Sequence, residues 1–257
     1  MITIEQLTTV VKEASKLMLT DEFIIKEKGD VANIVTSSDL AVQDFLCERL
    51  ARLLPGSGFL CEEEDVWDTS KEYTWIIDPI DGTANYSRGI AQCAISVGLK
   101  HNDEMFMGVV YLPRTNELFT AQKGCGAFLN GGQIHVSDRS FANGVMCTAL
   151  PVYHKEYAKV CSEIIFDTFT QCNDIRRFGA AAPELCYLAM GRVEMYFEYL
   201  LSPWDFAAAS LILAEAGGVL SGLKGECLTC TSPSGVIAAN TAENLEMLQQ
   251  IILQHIS

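Results

Sequence analysis

Positive charge is scarce in this chain. Eighteen Lys and Arg stand against 33 Asp and Glu, a formal net charge of −15 over 257 residues. Such a balance repels nucleic acid and anionic membranes, and neither is expected as a partner. Long apolar runs are missing too. The longest, Phe206 to Leu220, is interrupted by Ser210 and Glu215 and is too short to span a bilayer. The segment Met1 to Leu19 carries Glu5, Lys12, Glu13 and Lys16, unlike a secretory leader or a membrane anchor, so the chain reads as cytoplasmic. It has no Pro/Gly/Ser-rich linker, low-complexity tract or fixed-period repeat. A compact globular protein with a sizeable core is expected.

Cysteine, by contrast, is plentiful. The ten are scattered, mostly in apolar runs, and read as buried free thiols rather than a disulfide framework. Cys227-Leu-Thr-Cys230 lacks a second ligand pair, and Pro233 and Gly235 follow where a redox motif needs a helix. It is given no chemical role.

Apolar residues Ile4, Leu7, Val10, Val11, Ala14, Leu17 and Met18 recur at helical spacing. A charged loop, Lys26 to Asp30, precedes a second helix for which Asp39 reads as the N-cap. From Tyr73 to Val136 short β-prone runs alternate with turns at Asn102-Asp103, Arg114-Thr115-Asn116 and Asn130-Gly131-Gly132, which predicts a largely antiparallel sheet. After about residue 140 strands and helices alternate. Helices are expected over Tyr157–Phe169, Pro183–Met190 and Trp204–Ala216, and from Glu243 onward. The pattern predicts a layered α/β or α+β fold, a single domain over 1–257 with halves of about 1–140 and 141–257.

The chemistry centres on Trp75-Ile-Ile-Asp78-Pro79-Ile80-Asp81-Gly82-Thr83. Two aspartates at a strand end suit hard divalent cations, and Gly82-Thr83 offers backbone N–H groups to an anion. A turn capping an exposed strand end accounts for the same residues. Glu62-Glu63-Glu64-Asp65 is either a solvated acidic patch or, after the apolar Phe59-Leu60, a ligand at a second strand end. Asp205 either complements a helix N-terminus or ligates. Bound cations would also explain how so acidic a protein attracts a phosphate.

Taken together, Glu62-Glu63, Asp78-Pro-Ile-Asp81-Gly82-Thr83, Trp204-Asp205 and Glu215-Ala-Gly-Gly resemble the inositol monophosphatase family of Mg²⁺-dependent, lithium-sensitive phosphatases. Asn33 to Asp39 and Lys123 to Gly131 extend the similarity, which runs from about Lys28 to Gly218. The resemblance implies an alternating αβαβα sandwich of the inositol monophosphatase and fructose-1,6-bisphosphatase type, as a homodimer. It implies a phosphoric monoester hydrolase with two to three Mg²⁺ per site. One cation is expected on Glu62, Asp78 and the Ile80 carbonyl, and a second on Asp78, Asp81 and Asp205. A weaker third is expected on Glu62. Gly82 and Thr83 would hold phosphate, and Asp39 with the Thr83 hydroxyl would activate water. Gly179, Ala180, Ala181 and Glu198 match substrate-contacting positions, with Lys28 reaching in from its loop; Glu198 could equally face outward from its strand.

The implied substrate is a sugar or polyol phosphate, myo-inositol 1-phosphate first. Alternatives are fructose 1,6-bisphosphate, histidinol phosphate, a nucleotide 3′-phosphate or NADP(H), and, in a different class, a non-catalytic phosphate- or metal-binding regulator. Two departures stand out. Cys61 replaces the glycine usual before the first glutamate, and Arg88-Gly89-Ile90-Ala91 replaces the family's His-Gly-Phe-Pro. The second bears on the substrate more than on the chemistry, because an arginine there suits a second anionic group.

Overall fold

A computed structural model describes residues 2–19, 23–30, 33–63 and 68–256; of residues 27–30 and 33 it describes the backbone alone. Helix α1 (Ile4–Ser15) leads to a hairpin of β1 (Ile25–Asp30) and β2 (Asn33–Thr36), then α2 (Ser37–Leu53). The charged loop expected over Lys26–Asp30 is therefore a strand. Its pairing with β2, not apolar alternation, makes it one. Asp39 is not the N-cap either: Thr36 has the extended backbone of a cap, and Asp39 is the third helical residue, whose carboxylate accepts from Thr36 N (2.8 Å).

Next come β3 (Gly58–Cys61), β4 (Tyr73–Asp81), the one-turn α3 (Thr83–Tyr86), β5 (Ala94–His101), β6 (Glu104–Leu112), β7 (Glu117–Gln122), β8 (Ala127–Leu129) and β9 (Gly132–Ile134). These seven strands form one sheet in sequence order, antiparallel throughout except for the parallel β3–β4 pair. The second half runs β10 (Val145–Thr148), α4 (Ala158–Phe169), β11 (Asp174–Arg176), α5 (Ala181–Ala189), β12 (Met195–Leu201), α6 (Pro203–Glu215), β13 (Val219–Ser221), β14 (Ser234–Ala239) and α7 (Ala242–Leu253). Its five-stranded mixed sheet has the order β11-β10-β12-β14-β13.

Five layers result. On one face of the large sheet, Leu7 and Val11 of α1 and Leu46 and Leu50 of α2 share a core with Trp75 and Ile77. The other face packs on α5 and α6, whose far side meets the small sheet through Tyr196, Val236 and Ala238. Helices α4 and α7 cover the outside of the small sheet with Cys161, Ile164, Leu248 and Ile252. Helix α6 is buried on nearly every side from Phe206 to Leu213, as a helix between two sheets must be. All ten cysteines are free; Cys61 is buried with its Sγ 3.7 Å from that of Cys47.

The seat for α6 is a cross-strand pair, Gly98 on β5 opposite Gly108 on β6. A Cβ added at Gly108 would stand 2.5 Å from the Ala208 carbonyl oxygen, a backbone atom that cannot swing away. Gly108→Ala is expected to cost about 1–3 kcal/mol through overpacking. In thermal unfolding a protein of this size loses about 2–4 °C per kcal/mol. An unchanged midpoint would show that α6 moves off the sheet freely.

Candidate active site

In a regular strand, residues three apart point to opposite faces. Asp78 and Asp81 should therefore diverge. They do not, because the β4–β5 register slips between them: Asp78 pairs with Ser96 and Asp81 with Ala94, three steps on one strand against two on the other. Pro79, which has no N–H to give, sits in this bulge. The extra residue restores the parity, and both carboxylates line one cavity of about 640 Å³.

Glu62, beyond the end of β3, and Asp205, in the first turn of α6, line the same cavity. Glu62 N donates to the Ile77 carbonyl (3.1 Å), so the two strand ends are tied together. Gln43 on α2 clamps the next residue, accepting from Glu63 N (2.9 Å) while its amide donates to the Glu63 carbonyl. Asp205 uses one oxygen to accept from Ser202 N (2.8 Å) at the head of its helix. The helix-terminal reading of Asp205 and its place on the cavity wall are thus both met by one side chain.

Burial comes first among the influences that raise Asp78 well above the ordinary carboxylate range, followed by the charges of Glu62, Asp81 and Asp205. Asp205 is raised by burial, then by Asp81 and Glu62. Asp81 is pushed up to about 7 by burial, although Ala182 N (2.6 Å) and Ala181 N (3.3 Å) donate to it. Among the described residues no three His, Cys, Asp or Glu side chains stand close enough as they are to hold a metal ion; Asp78 and Asp81 face the cavity from β4, Glu62 from beyond β3 and Asp205 from α6. Asp78, Asp81 and Asp205, each raised above the ordinary carboxylate range, make with Glu62 a hard, all-oxygen donor set. Divalent cations fit such a set, since they remove the mutual repulsion.

Beside the acids, Gly82 has φ +86°, and a Cβ there would meet Ala180 Cβ and the Gln92 carbonyl at 3.0 Å, so only glycine fits between β4 and α3. The Thr83 hydroxyl lies 3.1 Å from both Asp39 Oδ1 and the Ile80 carbonyl, and its single proton can go to one of them. Thr83 lines the cavity, whereas Asp39 stands behind it, fully buried. Burial raises the Asp39 pKa, against the hydrogen bonds from Thr36 and Thr83.

The opposite wall is built from Gly179, Ala180, Ala181 and Glu198. Glu198 is half-buried and turned to the cavity, not outward; Tyr196 Oη donates to its Oε2 (2.6 Å), and burial pushes it up to about 7. Arg88 lines the rim, donating to the Ala84 carbonyl (2.9 Å). The Lys28 side chain, and Glu64 and Asp65, lie outside the described residues. Sequence reasoning passed over Gln43 and Asn85. Asn85 Nδ2 donates to the carbonyls of Gln92 and Phe178 (both 2.7 Å), tying the phosphate end to the opposite wall. Glu215 in the Glu-Ala-Gly-Gly motif is structural: it accepts from Gly124 N and Gly126 N (both 2.7 Å), which holds the β7–β8 turn on α6.

Five alternating layers with an acid-walled cavity at their strand ends define the α+β sandwich shared by the inositol monophosphatases. The family model described as "Inositol monophosphatase family" matches residues 2–257, and the chain belongs to that family. It is 37% identical over 245 residues to the Nus factor SuhB of Vibrio cholerae, covering 95% of this chain and 89% of that protein. The SuhB structure of Bartonella henselae superposes with a TM-score of 0.90 at 28% identity, over 98% of this chain and 99% of that one. Inositol monophosphatase II of Staphylococcus aureus, solved with inositol monophosphate bound, gives a TM-score of 0.82 at 28% identity, over 98% and 95%. The same protein has also been solved with 2′-AMP. Among the described residues no helix is long and apolar enough to cross a membrane.

Proposed function

We propose that this protein is a Mg²⁺-dependent phosphoric monoester hydrolase acting on a sugar or polyol phosphate, with myo-inositol 1-phosphate the leading substrate. The observation that supports this most is the bulge at Pro79, which turns Asp78 and Asp81 toward the cavity that Glu62 and Asp205 share. Glu62, Asp78 and the Ile80 carbonyl would hold one cation, and Asp78, Asp81 and Asp205 a second. Both sheets contribute walls, so residues 1–257 are taken to act as one unit, in a homodimer.

When bound, the cations polarise the phosphoryl oxygens, acidify the attacking water and neutralise the leaving alkoxide. The rest falls to this chain. Backbone N–H groups at Gly82 and Thr83 receive the phosphate. If the Ile80 carbonyl held a cation, the Thr83 proton would be left to Asp39, and the Thr83 oxygen would be free to accept from water. Water oxygen bonds to phosphorus, its proton passes toward Thr83 and Asp39, the ester P–O bond breaks, and the departing alkoxide takes a proton from solvent water to leave as the alcohol. Glu198 accepts hydroxyls of the departing alcohol and so selects a polyol. No cysteine, serine or histidine stands in a nucleophile motif, consistent with direct attack by water.

The test is catalytic efficiency with Mg²⁺ on myo-inositol 1-phosphate against fructose 1,6-bisphosphate. The first should be favoured, and Glu198→Gln should lower it by about tenfold while sparing the second, the scale of one lost polar contact. Equal losses on both would remove Glu198 from substrate selection. A preference for the bisphosphate would instead bring forward Arg88. The name Nus factor carried by relatives favours a second reading, a regulator that binds without turnover. Absence of phosphate release across a broad panel would select it.

A further inference from the structure

The wall that faces the leaving alcohol is held from behind by a residue with no place in the chemistry above. Glu184, on α5, is buried to 1% exposure. Its Oε1 accepts from Phe178 N (2.6 Å) and Gly179 N (2.8 Å), which precede the helix N-cap Ala180. Past Ala180, the amides of Ala181 and Ala182 donate to Asp81. Asn85 takes the Phe178 carbonyl from the other side. Segment 178–182 is thus pinned at both ends, its first amides to Glu184 and its last to a cavity carboxylate. Between those pins lies Ala180, and it lines the cavity with Gly179 and Ala181 on either side.

We propose that Glu184 is a positioning residue for the alcohol subsite, setting the 178–181 wall against which the leaving group is recognised; this rests on the phosphatase reading above. Glu184 acts through Oε1 alone. Its Oε2 is buried with no hydrogen-bond partner among the described residues, at the inner edge of the cavity that Glu184 also lines. Burial holds the acid up to about 8, so near neutral pH it is mostly uncharged, a carbonyl acceptor carrying its proton on the idle oxygen. A charge there would add to those of Glu198 and Asp81, which already raise it. Glutamine reproduces that acceptor at the same length, whereas leucine fills the volume and accepts nothing.

The experiment compares the wild type, E184Q and E184L on myo-inositol 1-phosphate and on phenyl phosphate, whose leaving group has no ring hydroxyls. For E184L, KM for the inositol phosphate should rise about tenfold and KM for phenyl phosphate less than about twofold, with kcat nearly kept. E184Q should bring both KM values back to within about twofold of wild type. A merely structural role would lower the thermal midpoint and the active fraction of E184L with KM unchanged. That result overturns the proposal, as does an equal rise in KM for E184Q. If the wild type hydrolyses neither compound, the phosphatase reading has failed by itself. The calorimetric Kd of myo-inositol 1-phosphate with Mg²⁺ then decides: weakening by E184L but not by E184Q supports the wall, and absence of binding or of any difference overturns it.

Discussion

Asp78→Asn is expected to lower turnover by on the order of 10³-fold or more and, in the absence of divalent cation, to raise the thermal unfolding midpoint. The first effect follows from the role proposed for Asp78 as the carboxylate shared by both cations. Losing one charge from the shared ligand removes several kcal/mol of transition-state stabilisation, and each 1.36 kcal/mol is about tenfold in rate. The second follows from the sign of the pKa shift. Asp78 is held well above its unfolded value by burial and by Glu62, Asp81 and Asp205. A group raised in this way weakens the fold as pH climbs past the unfolded carboxylate pKa, so at neutral pH the penalty is in force. Asparagine keeps an oxygen for Ile80 N, which donates to Asp78 at 3.0 Å, and removes the charge.

Magnesium should reverse the order. A ligand that binds only the folded state stabilises it by about 2.7 kcal/mol at a hundred times its Kd. Wild-type protein should gain that in a Mg²⁺ titration followed by differential scanning calorimetry, and D78N should gain little. A variant that loses activity but keeps the full Mg²⁺ shift would move the shared ligand elsewhere.

The sequence carried the chemistry of the site further than its geometry. The residues from Asp78 to Thr83 are contiguous, so their types and order alone pointed to cations and phosphate, and Pro79 announced the break in the ladder. That the break turns two diverging side chains to one side is a property of register, visible only once β5 is paired. The hairpin over Ile25–Thr36 escaped for a related reason: its first strand, Ile25–Asp30, is mostly charged, has no apolar alternation, and owes its form to a partner. At Thr36-Ser-Ser-Asp39 several residues are good caps, and the choice fell to the one whose backbone a downstream carboxylate could reach. Gln43 and Asn85 were invisible because each is an ordinary polar side chain in its own helix. Asn85 finds one of its acceptors 93 positions away. For Glu184 a faint signal existed, an acid in an otherwise apolar helix, Ala181–Ala189.

Asp39→Asn should leave the protein folded and lower kcat by about 10²–10⁴-fold, the range of a lost proton acceptor, with KM and the Mg²⁺ shift in unfolding nearly unchanged. The fold survives because asparagine satisfies the same neighbours. Its oxygen can accept from Thr36 N and Thr36 Oγ1, as Asp39 Oδ2 does, and its amide can donate to Thr83 Oγ1. With the Ile80 carbonyl, 3.1 Å away, proposed as a cation ligand, the Thr83 proton is left without an acceptor behind it. In that arrangement Thr83 is left holding a hydrogen bond from behind and has no acceptor to which a proton taken from water can move on. Asp39 lies out of contact with the cavity, so its loss cannot be read as a lost ligand or a lost substrate contact. The competing account is local: Asp39 closes the capping box of α2, and its exchange would cost about 0.5–2 kcal/mol and little else. Stopped-flow single turnovers alongside equilibrium unfolding separate the two. A normal rate with a lowered midpoint assigns Asp39 to the helix; a slow rate with a normal midpoint assigns it, through Thr83, to the water.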